Sequence, residues 1–166
     1  LAAGQVPVAC YLPFFLVAKL CHDLQEGEQH TPLGDPMEIA LDEMARRIIP
    51  DRLAPCRLDE IPFDADRMRM STVHAMPEGS ILYCKGAPET VTPLCDRVLL
   101  DGTIHPLTAQ LRVQIREAQD AMAEQGLRVL AFAYRPLAQA WKRDALEQQL
   151  VYAGLVGLHD PPRPEV

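Results

Sequence analysis

The spacing of apolar residues along the chain predicts three main helices. Residues 6–21 are apolar but interrupted by prolines, which predicts a connecting strand and then a buried helix at about 13–24. A second helix begins with Asp35 as its N-cap and Pro36 at its first position, because both residue types are favoured there. The third predicted helix covers residues 107–124, where apolar residues recur every three or four positions. The second helix has an apolar face that consists of Ile39, Leu41, Met44, Ile48 and Ile49.

Short runs of β-branched and aromatic residues between turn residues predict strands. Two of them, at 68–76 and 80–85, are joined by a Pro-Glu-Gly turn and predict an antiparallel hairpin. Residues 127–134 have almost no polar face and predict a central strand. Other predicted elements are an edge strand at 57–63, a short helix at 87–95, a hairpin at 97–103, a linker around Trp141 and Leu146, and a buried strand at 150–158. The expected fold is α+β, with a mostly antiparallel twisted sheet flanked by helical hairpins. Its predicted core includes Leu41, Ile61, Val73, Leu82, Leu130, Phe132 and Val156.

The corner between the second strand of that hairpin and the next helix is the first candidate site. Lys85 and Gly86 end the strand, and Ala87-Pro88-Glu89 has the composition of a first helical turn. A cation, a residue without a side chain and a helix N-terminus therefore meet at one place. This arrangement suits a flat or anionic ligand. The alternative is an ordinary strand-to-helix turn.

Composition and charge restrict the class of protein. The chain has 166 residues, of which 48% are hydrophobic and 23% charged, as in a single globular domain. Its net charge of −7 argues against nucleic acid or an acidic membrane surface as the main partner. Because the chain begins at Leu1 and lacks an initiator methionine, we expect it to be part of a longer protein. Residues 6–21 are too short and too interrupted for a membrane-spanning helix.

The five cysteines include no CxxC pair, so we expect reduced thiols in a cytosolic domain. A zinc site formed by Cys21, His22 and His30 is a minor alternative.

Three further residues have both a structural and a functional interpretation. Glu38 lies in the first turn of the second helix, where a carboxylate stabilises the helix dipole. Phe63 precedes a tight turn and fits either a core position or an exposed platform on which a base stacks. Arg128 begins an apolar strand, where a buried charge needs a salt bridge or an anionic ligand.

Five separated blocks match one protein family in the correct order. They are residues 34–41 (GDPMEIAL), 62–63 with 66–71 (PF and DRMRMS), 85–89 (KGAPE), 126–131 (GLRVLA) and 157–163 (GLHDPPR). Through these blocks, and over nearly its whole length, the chain resembles the nucleotide-binding domain of P-type cation-transporting ATPases. The resemblance is to the calcium-pump-like branch of that family. Any one block is weak, but five with family-like spacing are specific.

The resemblance implies an ATP pocket formed by Glu38, Phe63, Met70, Lys85, Gly86 and Arg128. Phe63 is similar to the aromatic residue that stacks on adenine. Lys85 and Gly86 resemble the residues at the deep end of the adenine pocket. Glu38 resembles the acid near the adenine amino group, and Met70 the apolar wall beside the base. Arg128 is similar to the arginine that reaches the phosphates.

The chain departs from the family pattern at Met68, where the family usually has a lysine between Arg67 and Arg69. Loss of that cation weakens the phosphate end of the pocket, unless one of the two arginines replaces it. The chain also lacks a P-loop and the Asp-Lys-Thr-Gly phosphorylation motif. The resemblance therefore implies that the chain binds ATP but hydrolyses little or none by itself.

The family pattern also predicts the context of the domain. Residues 1–159 are the expected nucleotide-binding domain, and residues 160–166 the start of a hinge formed by Asp160, Pro161, Pro162 and Arg163. The implied partners are ATP and the phosphorylation and actuator domains of the parent chain, with magnesium held outside this piece. The resemblance further implies a cytoplasmic domain of an integral membrane protein. Calcium is the cation it suggests first, with other cations as alternatives.

Two other classes of function are consistent with the residues. A docking or regulatory module that has lost nucleotide binding would explain Met68. A stand-alone phosphotransfer enzyme is disfavoured, because the chain has neither a P-loop nor paired carboxylates for a metal.

Overall fold

The computed structural model describes residues 8–159, apart from the side chain of His30. The predicted hinge at 160–166 lies outside the described residues. The helices are α1 (Leu12–Leu20), α2 (Pro36–Arg46), α3 (Pro88–Val91) and α4 (Ala109–Glu124). The strands are β1 (Gln25–Glu26), β2 (Pro32–Leu33), β3 (Arg57–Asp64), β4 (Arg69–Met76), β5 (Gly79–Gly86), β6 (Cys95–Leu100), β7 (Thr103–Pro106), β8 (Arg128–Pro136) and β9 (Leu150–Leu158).

Seven of these strands form one sheet in the order β3-β4-β5-β8-β9-β6-β7. All neighbours are antiparallel except β6 and β9, which are parallel. The predicted α+β class with a mostly antiparallel sheet is confirmed. β3 is the predicted edge strand, and β8 is central. Helices α1 and α2 pack on each other, whereas α4 contacts β8 and β9.

The sheet buries a separate apolar cluster on each face. On one face, Met70 and Phe132 pack with α1 and α2. On the other face, Val73 and Leu82 pack with the start of α4 and with Leu146. Strand register explains the division, because Met70 pairs with Lys85 and Lys85 with Phe132, so these side chains share one face. Successive residues of β4 therefore lie on opposite faces of the sheet.

Several sequence predictions need correction. The helix predicted at 13–24 ends at Leu20, and residues 8–11 form a turn of 3-10 helix where a strand was predicted. The helix predicted at 87–95 is only Pro88–Val91, followed by one 3-10 turn. Ile48 is exposed, because α2 ends before it, whereas the next residue, Ile49, is buried.

The predicted linker is also more ordered than expected. Leu146 is fully buried, and Trp141 packs against the apolar cluster to which Leu146 belongs. Of the predicted core residues, Leu41, Val73, Leu82 and Phe132 are buried, whereas Ile61, Leu130 and Val156 are half-buried at its margin.

Candidate functional site

A cavity of about 600 Å³ opens where β5 meets α3, on the α2 side of the sheet. It is bounded by the first turn of α2, the ends of β3 and β5, the first half of β8 and one face of α4. The six residues predicted from the sequence all line it: Glu38, Phe63, Met70, Lys85, Gly86 and Arg128. The fold thus places residues as distant in sequence as Glu38 and Arg128 in the lining of the same cavity.

The floor of the cavity contains an ion pair between two predicted ligand residues. The Asp35 carboxylate caps α2 by accepting a hydrogen bond from the Met37 N–H at 2.8 Å, which places Glu38 in the first turn. Lys85 Nζ donates to Glu38 Oε1 at 2.5 Å, and the Asp23 N–H donates to Glu38 Oε2 at 2.8 Å. The Lys85 side chain is only 7% exposed and that of Glu38 16%. Their charges therefore largely neutralise each other, and Lys85 is not a free cation.

Gly86 has a packing reason for lacking a side chain. A Cβ at this position would lie 2.4 Å from the Met68 carbonyl oxygen and 2.5 Å from Arg69 Cβ. β4 and β5 can approach this closely only because residue 86 is a glycine. Gly86 also lines the cavity, so its predicted contact with a ligand and its packing role are compatible.

Phe63 and Met70 supply the apolar part of the cavity. The Phe63 ring is 57% exposed, whereas Met70 is buried beneath the cavity. The β3–β4 pairing is irregular between Ile61 and Asp64, and such irregularities turn a side chain out of its regular position. An exposed aromatic ring beside a buried apolar wall is the arrangement in which a planar base can stack.

The sequence predicts Arg128 as a buried charge, but in the structure this residue is exposed. It begins β8 opposite Leu158 of β9, but its side chain is exposed. Strand β8 becomes buried only from Ala131 onward, which is why the first residue of the strand reaches solvent. Within the described part of the chain, the Arg128 guanidinium forms no ion pair, and it lines the cavity. It is therefore placed to meet an anionic group at the cavity mouth.

Arg67 and Arg69, the two arginines on either side of Met68, point away from the cavity and pair with Glu147. Met68 lines the cavity with a positive φ of 49°. Arg67 Nη2 lies 2.6 Å from Glu147 Oε2, and Arg69 Nε lies 2.9 Å from the same oxygen. Both arginines thus bind one carboxylate, and neither lines the cavity.

Glu147 completes a compact charge cluster there. Ser71 Oγ donates to Glu147 Oε1 at 2.8 Å, next to the two arginines. Burial raises the pKa of Glu147, but the hydrogen bonds from Ser71, Arg67 and Arg69 outweigh it and hold the pKa below its usual value. Glu147 was missed by the sequence analysis, because it lies in the segment without apolar periodicity.

Other lining residues were also missed. Gln119 and Ala123 of α4 face the cavity, and so do Asp23 and Glu89. Gln119 and Ala123 are four residues apart and therefore lie on one face of α4. This spacing is the only feature of the sequence that could have indicated them. Asp23 follows α1 in a stretch with no such pattern.

The contacts of Cys21 and His22 do not support the alternative of a zinc site. The Cys21 thiol donates to the Met70 carbonyl oxygen at 3.7 Å, and His22 Nδ1 accepts from the Leu24 N–H at 3.1 Å. Burial raises the pKa of the Cys21 thiol, which disfavours the thiolate that binds metals. Among residues 8–159, no three His, Cys, Asp or Glu side chains are grouped to hold a metal ion.

Comparison with known proteins then decides the family. Residues 14–165 match the family described as P-type ATPase, cytoplasmic domain N. The chain belongs to this family. The predicted resemblance is confirmed, and the N domain is known in these proteins as a cytoplasmic domain. None of the helices in the described part of this N domain is long and apolar enough to cross a membrane.

Several curated relatives of this N domain are cation-transporting ATPases. A calcium-transporting ATPase of Listeria monocytogenes is 35% identical over 156 residues, which are 90% of this chain and 18% of the relative. Calcium-transporting ATPase 1 of Bacillus cereus is 40% identical over 152 residues, 89% of this chain and 17% of the relative. A P-type magnesium-transporting ATPase of Escherichia coli is 38% identical over 110 residues, 64% of this chain and 12% of the relative. The chain thus spans less than a fifth of the length of these relatives.

Proposed function

We propose that this chain is the ATP-binding domain of a P-type cation-transporting ATPase and that it holds ATP in the cavity beside Phe63. One observation carries the proposal. The six residues implied by the family pattern line a single cavity, and the aromatic residue among them is 57% exposed. Exposure of the phenylalanine ring to water is unfavourable. A purine base that stacks on the ring would remove that apolar surface from water.

Each lining residue has a chemical task in this proposal. Adenine stacks on Phe63, and the Met70 side chain forms the apolar wall behind it. The Glu38 carboxylate, oriented by Lys85, accepts a hydrogen bond from the exocyclic amine of the base. Arg128, exposed at the cavity mouth, meets the phosphates.

In the parent protein, the domain would present the γ-phosphate of ATP to an aspartate on the phosphorylation domain. Attack by that carboxylate forms an acyl-phosphate and releases ADP, and hydrolysis of the acyl-phosphate completes the cycle. The proposed hinge, residues 160–166 with Asp160, Pro161, Pro162 and Arg163, would connect the two domains. Magnesium would be bound on the phosphorylation domain. The actuator domain would be the second partner within the same chain.

The transported cation is proposed from the relatives alone. Those from Listeria monocytogenes and Bacillus cereus are named as calcium transporters, and the one from Escherichia coli as a magnesium transporter. Calcium is the proposed cation, because the two calcium relatives match about nine-tenths of this chain.

Isothermal titration of the 166-residue chain with ATP and GTP tests the proposal. We expect ATP to bind with a dissociation constant between about 1 mM and 1 μM, and GTP more weakly. Phe63→Ala should weaken ATP binding by about 1–3 kcal/mol, because the stacking surface is lost. Leu58→Ala is the matched control, since Leu58 is on the same strand, 48% exposed and outside the cavity lining.

Absence of ATP binding at millimolar concentration by a folded chain would refute the proposal. It would favour the alternative of a docking or regulatory module with this fold. Equal losses for Phe63→Ala and Leu58→Ala would place the nucleotide outside the cavity.

A further inference from the structure

The charges that line the cavity are predominantly negative. Among the described residues, the lining contains two cations, Lys85 and Arg128, and four carboxylates. The carboxylates are those of Asp23, Asp35, Glu38 and Glu89. The Lys85 charge is offset by that of Glu38, so the rest of the described lining carries one cation, Arg128, and three carboxylates. The chain as a whole has a net charge of −7 and adds to this negative field.

The two arginines that flank Met68 in the sequence do not change this balance. Arg69 shares its strand with Met70, and adjacent strand residues point to opposite faces of the sheet. Ion pairs with Glu147 hold both Arg67 and Arg69 outside the cavity lining. At the cavity itself, the chain presents the uncharged side chain of Met68, which is 39% exposed.

The apolar side chains of the cavity, unlike its cations, offer a ligand an extended surface. Phe63, Met70 and Leu130 provide an aromatic ring and aliphatic surface, and the Glu38 carboxylate is fixed by two hydrogen bonds. Binding energy is therefore concentrated on the base and ribose. A polyanionic tail would gain one favourable contact, with Arg128, and would be repelled by the surrounding carboxylates.

From this balance we infer that the cavity recognises the nucleoside and that the phosphates of free ATP add no net affinity. The inference rests on the proposed function, since it assumes that the cavity binds adenine nucleotides. It assigns a ligand preference: adenosine binds as tightly as metal-free ATP. It also makes Met68 the residue that determines this preference.

The first test compares adenosine and ATP in EDTA at low and high ionic strength. Both should bind with dissociation constants within about threefold of each other, a difference below 1 kcal/mol. Salt screens electrostatic forces of either sign, so added salt should leave ATP affinity unchanged or increase it. ATP that binds at least about tenfold tighter than adenosine, and weakens with salt, would overturn the inference while leaving the proposed function intact. Failure of both ligands to bind would refute the proposed function itself, and the inference with it.

The second test is the charge variant Met68→Lys. A lysine at this position should raise the ratio of ATP affinity to adenosine affinity by about two- to fivefold at low salt, the range of an exposed ion pair. Ile104→Lys adds the same charge at the opposite edge of the sheet, where Ile104 is 46% exposed, and should leave the ratio unchanged. An unchanged ratio in Met68→Lys, or an equal rise in both variants, would contradict the assignment to Met68.

Discussion

Strand β4 separates two groups of charged and polar residues that are built in opposite ways. On one side, Arg69 and Ser71, together with Arg67 from the preceding turn, surround the Glu147 carboxylate. On the other side, Met70 borders an open cavity with the Phe63 ring at its edge. The Glu147 cluster is closed, because its carboxylate accepts from three side chains within 3 Å. The cavity is open and leaves Arg128 without an ion pair among the described residues.

This difference distinguishes a structural charge cluster from a binding site. A partly buried carboxylate with two arginines has its hydrogen bonds satisfied and gains little from a ligand. An exposed ring and an exposed guanidinium around a cavity have interactions still to make. The sequence leaves open whether Arg67 or Arg69 replaces the cation missing at Met68, and in the structure both arginines belong to the closed cluster.

The largest effect should come from breaking the closed cluster. Glu147→Ala leaves two arginines and a serine without their acceptor, and it should lower the free energy of unfolding by about 3 kcal/mol. Asp144→Ala is the control, since that side chain is exposed on the same segment and should change stability by less than about 0.5 kcal/mol. Urea unfolding measures both. A loss in Glu147→Ala no larger than in the control would show that the cluster does not stabilise the fold.

The ion pair at the cavity floor should show a smaller loss and strong coupling. Lys85→Met leaves the Glu38 carboxylate with only the Asp23 N–H, and should cost about 1–3 kcal/mol of stability. Adding Glu38→Gln should recover part of that loss, because the unpaired charge is removed. A double-mutant cycle by urea unfolding measures the coupling. Additive effects would contradict the pairing of these two residues.

Acidic pH should destabilise the domain through two histidines, the half-buried His22 after α1 and the buried His74 on β4. Burial lowers the pKa of His74 and of His22, and neighbouring cations lower them further: Arg57 for His74, and Lys85 and Arg57 for His22. The unfolded chain therefore binds protons first, and stability falls as the pH drops from about 7 toward 5. Urea unfolding across this range should give a smaller slope for His74→Gln than for the parent chain. Identical slopes would rule out His74 as a source of the pH dependence.

The smallest effect should come from the cavity mouth. Arg128→Gln removes the one exposed cation that the described residues place in the lining, and should weaken ATP binding by about 0.2–1 kcal/mol with less effect on adenosine. Stability should change little, because the side chain is exposed. Calorimetric titration with both ligands measures the difference. An equal loss for ATP and adenosine would contradict a phosphate contact.

The sequence was most informative where signals are local. The Asp35 cap, the β4–β5 hairpin and the strand-to-helix corner at Gly86 each depend on adjacent residues, and the structure contains all three. The parallel pairing of β6 with β9 and the role of Glu147 were not predictable. Glu147 contacts residues 76 to 80 positions earlier in the chain, and such long-range partners leave no periodic pattern.

The candidate site was predictable as a set of residues but not as an arrangement of charges. All six predicted residues border one cavity, yet no sequence pattern indicates that Lys85 and Glu38 bind each other. It also placed Arg128 in a buried environment, whereas the first residue of β8 is exposed. Both differences arise from tertiary packing, which decides whether a charged side chain is paired or free.

An amide chemical-shift titration of the 166-residue chain with ATP shows which residues a bound nucleotide contacts. We predict saturable shifts at Phe63, at Lys85-Gly86 and at Arg128, with smaller shifts for GTP at the same concentration. The Glu147 cluster on the other face of β4 should show smaller changes, because its hydrogen bonds are already complete. No shifts at millimolar ATP, or saturable shifts confined to residues outside the cavity, would contradict the account.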